Sequence, residues 1–225
     1  IENKFANGAP DWQSVGALYT DDVTPFETMK LRLLNGSHSL LAYLGYLAGF
    51  DYVHQVMADE YFKRLVRRFM DIQAQPTLEI PPGFDIEKYK DELCERFANS
   101  ALNHRLFQIA QDGSQKIPQR WLAPLYELLA ANLPTEILAL ALAGWLRFVA
   151  GGRDNGETFT VDDPLSETLT RAISESGNPC SLLAITQIFG DMTERYPKLV
   201  DAIANYYQSI NSIGVRRTVA MAVDG

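Results

Sequence analysis

Cysteine and histidine are scarce in this chain: Cys94 and Cys180, and His38, His54 and His104, among 225 residues. Two cysteines cannot build a disulfide scaffold and point to a reducing, cytoplasmic setting. No His or Cys pair has zinc spacing, so no metal is expected. Basic charge is also short, with 20 Lys and Arg against 28 Asp and Glu and a net charge of −8. No basic stripe offsets it, which argues against nucleic acid. There is no signal peptide, and no apolar run is long enough to span a bilayer. Residues 130–150 come nearest, but Pro134, Glu136 and Arg147 interrupt them, so they read as a buried core helix. Also missing are a Gly-x-Gly-x-x-Gly fingerprint, a phosphate-binding loop, a Gly-x-Ser-x-Gly elbow and any carboxylate pair suited to glycoside chemistry. No convincing alternating strand occurs, so the fold class is all-α.

What is present is an ordinary globular balance, 47% apolar and 21% charged. Helical periodicity runs almost unbroken from Pro25. Helices are expected near 25–48, 52–57, 59–74, 85–98, 103–111, 118–131, 135–150, 164–176, 179–189 and 194–213. Arg64, Arg67 and Arg68 read as a solvated face, and 151–163 as one long polar loop. The first 20 residues lack this period; Trp12, Val15, Leu18 and Tyr19 are expected to pack on a neighbour. The chain starts at Ile1 without Met, which suggests part of a longer protein.

The most informative stretch is Lys30-Leu-Arg-Leu-Leu-Asn35-Gly-Ser-His38. Thr24 can cap the helix that carries it, Pro25 suits the first position and Glu27 can complete a capping box. At 3.6 residues per turn Lys30, Leu34 and His38 lie near one line, with Asn35 offset but within reach of a shared pocket. An amine, a carboxamide and an imidazole can together move a proton and steady an oxyanion at a carbinol carbon. The plain alternative is a solvated face. Against it stand Leu31, Leu33, Leu34, Leu40, Leu41, Leu44 and Leu47, which leave little of the helix for water. A lysine buried there would titrate low. Gly36 costs about 1 kcal/mol against Ala in a helix interior, so something must approach its backbone closely. A second polar stretch runs from Arg96 to Arg120. In it Asp112-Gly-Ser reads as a turn, Pro118 as the start of a helix, and Lys116 and Arg105 as groups for an anionic or polyhydroxy ligand. A helix–turn–helix corner with solvated charges is the alternative there.

Several segments resemble the polyol-specific long-chain dehydrogenases, the family of mannitol dehydrogenase and fructuronate reductase (mannonate oxidoreductase). They are Asp22-Val-Thr-Pro25-Phe-Glu27, Lys30-x4-Asn35-x2-His38 with Ser39 to Gly49, Arg96-Phe-Ala-Asn99, and Asp112-Gly-Ser-Gln-Lys116-x-Pro118-x-Arg120. The strong match covers Ile1 to about Arg120. The resemblance implies a metal-free enzyme using NAD or NADP. Its N-terminal Rossmann-type domain precedes a multi-helical substrate domain similar to the C-terminal domain of 6-phosphogluconate dehydrogenase. On that basis residues 1–20 would be a residual segment from the end of the cofactor domain, and 21–225 the helical substrate-binding and catalytic domain. Lys30 would be the general acid/base and Asn35 part of the oxyanion hole. His38 would contact substrate hydroxyls, and Lys116 would lie near substrate.

No cofactor-binding residue is expected in this fragment, so it should be inactive alone. Its partners would be its own cofactor domain and a small sugar acid or polyol, with neither nucleic acid nor membrane. Gln108 stands where some mannitol dehydrogenases carry an Arg, with Arg105 one turn earlier, which favours sugar acids. The expected function is therefore mannonate/fructuronate oxidoreduction. Mannitol or arabinitol 2-dehydrogenase is the alternative, and a non-catalytic helical binding module is the alternative of another class.

Overall fold

The computed structural model describes residues 1–224, and among these the fold is all-α, with only isolated β-bridges outside the helices. Helix α1 spans 24–47, α2 Val53–Ala58, α3 60–74, α4 Ile86–Ala98, α5 Leu106–Ala110 and α6 113–130. Helix α7 is Glu136–Val149 and α8 Ser166–Ser176, followed after short turns by α9 Pro197–Ile213 and α10 Val215–Asp224. Helix α7 is the axis of the molecule: Ile137 to Leu146 are all buried, and α1 and α9 pack along it. The apolar stretch at 130–150 is thus a core helix, and no helix among the described residues is long and apolar enough to cross a membrane.

Three expectations about the helices are corrected. Helix α1 is capped by Asp22, whose carboxylate accepts from the Thr24 N–H at 2.9 Å, while Thr24 is already inside the helix. Helix α6 starts at Gly113 rather than at Pro118 and runs straight through that proline. Helix α10 lies beyond the last helix that the periodicity suggests. The Asp85 cap forms as expected, accepting from the Lys88 N–H.

Long helices α1, α3 and α6 each contain one π turn, at Lys30–Asn35, Met70–Ala74 and Pro118–Leu122. In each, an N–H reaches back five residues: Gly36 to Leu31, Gln75 to Met70 and Ala123 to Pro118. In α6 the cause is visible in the sequence. Pro118 and Pro124 lack an N–H and crowd the carbonyls of Ser114 and Arg120, and a wider turn relieves that crowding. The π turn of α1 packs against both of the others.

Buried polar groups lock these helices together. Gln73 accepts from the Leu138 N–H at 2.8 Å, satisfying an orphan donor at the start of α7. Lys90, 1% exposed, holds Asp71 at 2.5 Å and Glu87 at 2.7 Å. Arg67 pairs with Asp71, Glu87 and Asp91, so it is an ion-pair hub and not a merely solvated face. In the 151–163 loop, Arg153 donates to the carbonyls of Tyr46 and Phe50 and lies over the Tyr46 ring, tying the loop to the end of α1. Buried Asp163 accepts from the N–H and hydroxyl of Ser114, capping α6 from that same loop.

Candidate active site

The site is built on the π turn of α1. A π turn closes from residue i to i+5, the spacing of Lys30 and Asn35, so the two lie nearer to one face than α geometry would place them. The straight 3.6-residue reading, which aligned Lys30 with Leu34, is corrected by this extra residue. Lys30 is exposed. The expected burial of its amine is absent, because α1 turns this end outward while its leucines face the core. Among the described residues no side chain bonds the Lys30 amine, and Asn35 is bonded only through its backbone, so both polar ends are free for a ligand.

Gly36 shows why a glycine sits here. A Cβ on it would lie 3.1 Å from the Phe69 ring and 3.6 Å from the Arg120 carbonyl. The close approach expected at this glycine is that of Phe69.

His38 is largely buried, 4.6 Å centroid to centroid from Phe97 and 5.8 Å from His104. Its Nε2 has no hydrogen-bond partner. Burial first, then the nearby His104, Arg120 and Arg96, push its pKa down to about 4. At neutral pH it is a neutral imidazole, able to donate from one nitrogen and accept at the other.

Lys116 lies on α6, four residues before Arg120. Its amine donates to the carbonyl of Gln111 at 2.5 Å and lies 3.7 Å from Asp112. Desolvation and neighbouring Arg120 lower its pKa. The segment beneath it is rigid: Asp112 adopts a left-handed φ of 55°, and Gly113 passes between Trp145 and Tyr43.

Arg120 donates to the Ser39 hydroxyl at 2.8 Å and the Asn35 carbonyl at 3.4 Å. The structure therefore carries Lys30, Asn35 and His38 on one helix, with Arg120 bonded to that helix and Lys116 beside Arg120. It adds His104, Arg96 and Arg120, to which sequence reasoning gave no role although all three stand in the polar stretch from Arg96 to Arg120. Arg105 is not brought in. The extended bridge from Tyr52 to Arg105 turns successive side chains to opposite sides. His104 then faces His38 while Arg105 lines a separate groove with Tyr46, Asp51, Tyr52 and Phe107. His54 stacks on Tyr52, as a packing residue. A cavity of about 720 Å³ lies between the end of α7, the 151–163 loop and α8, and none of the site residues line it.

The fold is a multi-helical domain whose helix α1 carries Lys30, Asn35 and His38. The sequence profile described as the mannitol dehydrogenase C-terminal domain matches residues 22–211, and the chain belongs to that family. The chain is 40% identical over 223 residues to the D-mannonate oxidoreductase of Escherichia coli, covering 98% of this chain and 46% of that protein. It is 37% identical over 228 residues to the mannitol 2-dehydrogenase of Aspergillus niger, covering 100% of this chain and 47% of that protein. The solved mannitol 2-dehydrogenase of Pseudomonas fluorescens, in ternary complex with NAD and D-mannitol, superposes with a TM-score of 0.91 at 38% identity. That match covers 99% of this chain and 46% of that one. The chain thus spans about half the length of the relatives it matches.

Proposed function

We propose that this chain is the substrate-binding and catalytic half of an NAD(P)-linked oxidoreductase acting on a CH–OH group of a sugar acid, with mannonate as the leading candidate. One observation carries the reading. The amine of Lys30 and the amide of Asn35 both stand without protein partners on one π turn, three residues before a neutral His38 whose buried Nε2 is unpaired. In the oxidative direction Lys30 takes the hydroxyl proton, and Asn35 donates to the alkoxide-like oxygen. His38 bonds an adjacent substrate hydroxyl and is held by Phe97 and His104.

The open side of Lys30 fits a nicotinamide brought by another domain, since no glycine-rich cradle exists in this chain. When bound, that cofactor supplies the hydride acceptor. The exposed Trp12, Val15 and Leu18 suit the junction with such a domain, in line with the length the relatives have beyond this chain.

Substrate charge follows from the surroundings. Arg96 and Arg120 lie near His38, the partly desolvated Lys116 lies near Arg120, and neither arginine has a carboxylate partner among the described residues. A carboxylate in the substrate neutralises that surplus. The second reading, mannitol, is favoured by the likeness to the solved mannitol complex.

The test uses the full-length enzyme. Lys30→Ala should lower kcat by at least about 10²-fold with cofactor affinity unchanged. A panel of hexonates and hexitols should show the higher kcat/KM on an acid. Near-normal kcat and pH profile in Lys30→Ala would remove the catalytic assignment. A preference for hexitols would leave the second reading standing.

A further inference from the structure

The π turn is not held by its own helix alone. The carbonyls of Asn35 and Gly36, where the turn ends, both receive donors from α6: Arg120 Nη1 at 3.4 Å and Trp121 Nε1 at 3.2 Å. These two donors sit on the π turn of α6 itself, so one widened turn reads the edge of another. Arg120 Nη1 also reaches Ser39 Oγ at 2.8 Å, and Ser39 is fully buried. Its two acceptors, at 35 and 39, bracket His38. Phe69, the last residue before the π turn of α3, closes the third side against Gly36. A half-buried guanidinium without a carboxylate is an expensive group to keep for packing alone. Its remaining task is geometric.

We propose that Arg120 is a positioning residue for the reaction: its guanidinium clamps residues 35 and 39 and thereby fixes the Asn35 amide and the His38 imidazole toward the substrate. This rests on the assignment of Lys30, Asn35 and His38 made above. Arg120 acts through those residues and exchanges no proton. Trp121 is its weaker companion on Gly36. Displacing a positioned group by about 1 Å costs on the order of 10²-fold in rate, so loss of the clamp should show mainly in kcat.

Two measurements test it. The first needs no activity. Only three histidines are present, so their ring signals can be followed by NMR in this chain itself. Arg120→Met should shift the amides of residues 35–39 and raise the His38 midpoint, because a cation beside it is gone. The groups facing that imidazole are His104, Arg96 and Arg120, and only the last is altered.

The second measurement uses the full-length enzyme. Arg120→Ala should lower kcat by about 10-fold or more while the substrate KM changes less, and added guanidinium should restore part of the rate. The same additive should not rescue Lys30→Ala. Trp121→Phe keeps an aromatic ring, removes the donor to Gly36 and leaves a small cavity at this buried position; it should give a smaller effect in the same direction, and it serves if Arg120 variants fold poorly. Unchanged amides and an unchanged His38 titration in Arg120→Met would overturn the clamp. So would an unaltered kcat in Arg120→Ala beside an inactive Lys30→Ala. If Lys30→Ala were active too, the lysine assignment would fall, and the NMR result would decide the clamp by itself.

Discussion

Gly113→Ala tests how tightly the second half of the site is seated. A Cβ at this position would fall 2.4 Å from Trp145 Nε1 and 2.7 Å from the Tyr43 hydroxyl. Both neighbours are buried to within 1%. Neither can swing away: Trp145 is backed by Phe189, and Tyr43 by Phe148 and Trp121. Overpacking a filled core costs about 1–3 kcal/mol, and a clash with two rigid rings belongs at the upper end. For a domain of 150–250 residues each kcal/mol moves Tm by about 2–4 °C, so a fall of about 6–12 °C is expected. The assay is thermal unfolding followed by circular dichroism. Gly156→Ala is the contrast. It has a left-handed φ of +89° but nothing within 4 Å, so its cost is conformational only, about 1 kcal/mol. Trp145→Phe removes the ring nitrogen that the added methyl group would strike. The double variant should therefore lose less stability than the sum of the single ones. A Gly113→Ala protein melting within about 2 °C of the parent, less than 1 kcal/mol would give, would refute the reasoning. It would mean that the two rings yield freely.

Two further outcomes follow from buried groups. His38 is held at about 4 against an ordinary 6.5, so the folded state binds fewer protons between those values. Its contribution, on the order of 3 kcal/mol, should be complete above about pH 6.5 and lost as pH falls toward about 4, and urea midpoints of His38→Asn should show a flatter dependence across that window. Arg153→Met should cost about 2–3 kcal/mol, since the guanidinium bonds the carbonyls of Tyr46 and Phe50 and the carboxylates of Asp51 and Glu157. Limited proteolysis should then cut first within 154–160, and an uncut loop would contradict the pinning role.

Much of this architecture is legible because helix periodicity is a local property. The leucines of α1 and the apolar run of α7 announce their buried faces directly. What escapes is non-local. A π turn leaves no mark in a 3.6-residue template, which sets Lys30 and Asn35 farther apart around the cylinder than the widened turn does. Pro118 and Pro124 are the available sign, since two prolines six residues apart inside one helix demand a departure from α geometry. Arg105 is preferred to His104 and Arg120 on the sequence because its position matches a helical turn. The chain is extended there, and alternate side chains part company. Arg67 reads as surface charge because its carboxylate partners, Asp71 and Asp91, come from two different helices.

The two ends of the site differ in solvation, and that difference bears on how it works. His38 lies in a dry setting that keeps it uncharged, and Lys116 is partly desolvated beside Arg120. Lys30, eight residues before His38 on the same helix, stands in water. On the proposed assignment, whatever covers the open side would withdraw Lys30 from water. On that assignment closure would complete the Lys30 end, whereas the His38 end is already buried. The proposed mechanism then has substrate recognised through His38 and its cationic neighbours before Lys30 is covered. In the full-length enzyme this order predicts that Lys30→Ala leaves substrate affinity nearly unchanged and removes the rate. His38→Asn should weaken substrate binding even when the cofactor is absent. Equilibrium binding by calorimetry, with and without cofactor, separates the two. Equal losses of affinity in both variants would show that the ends of the site are not independent.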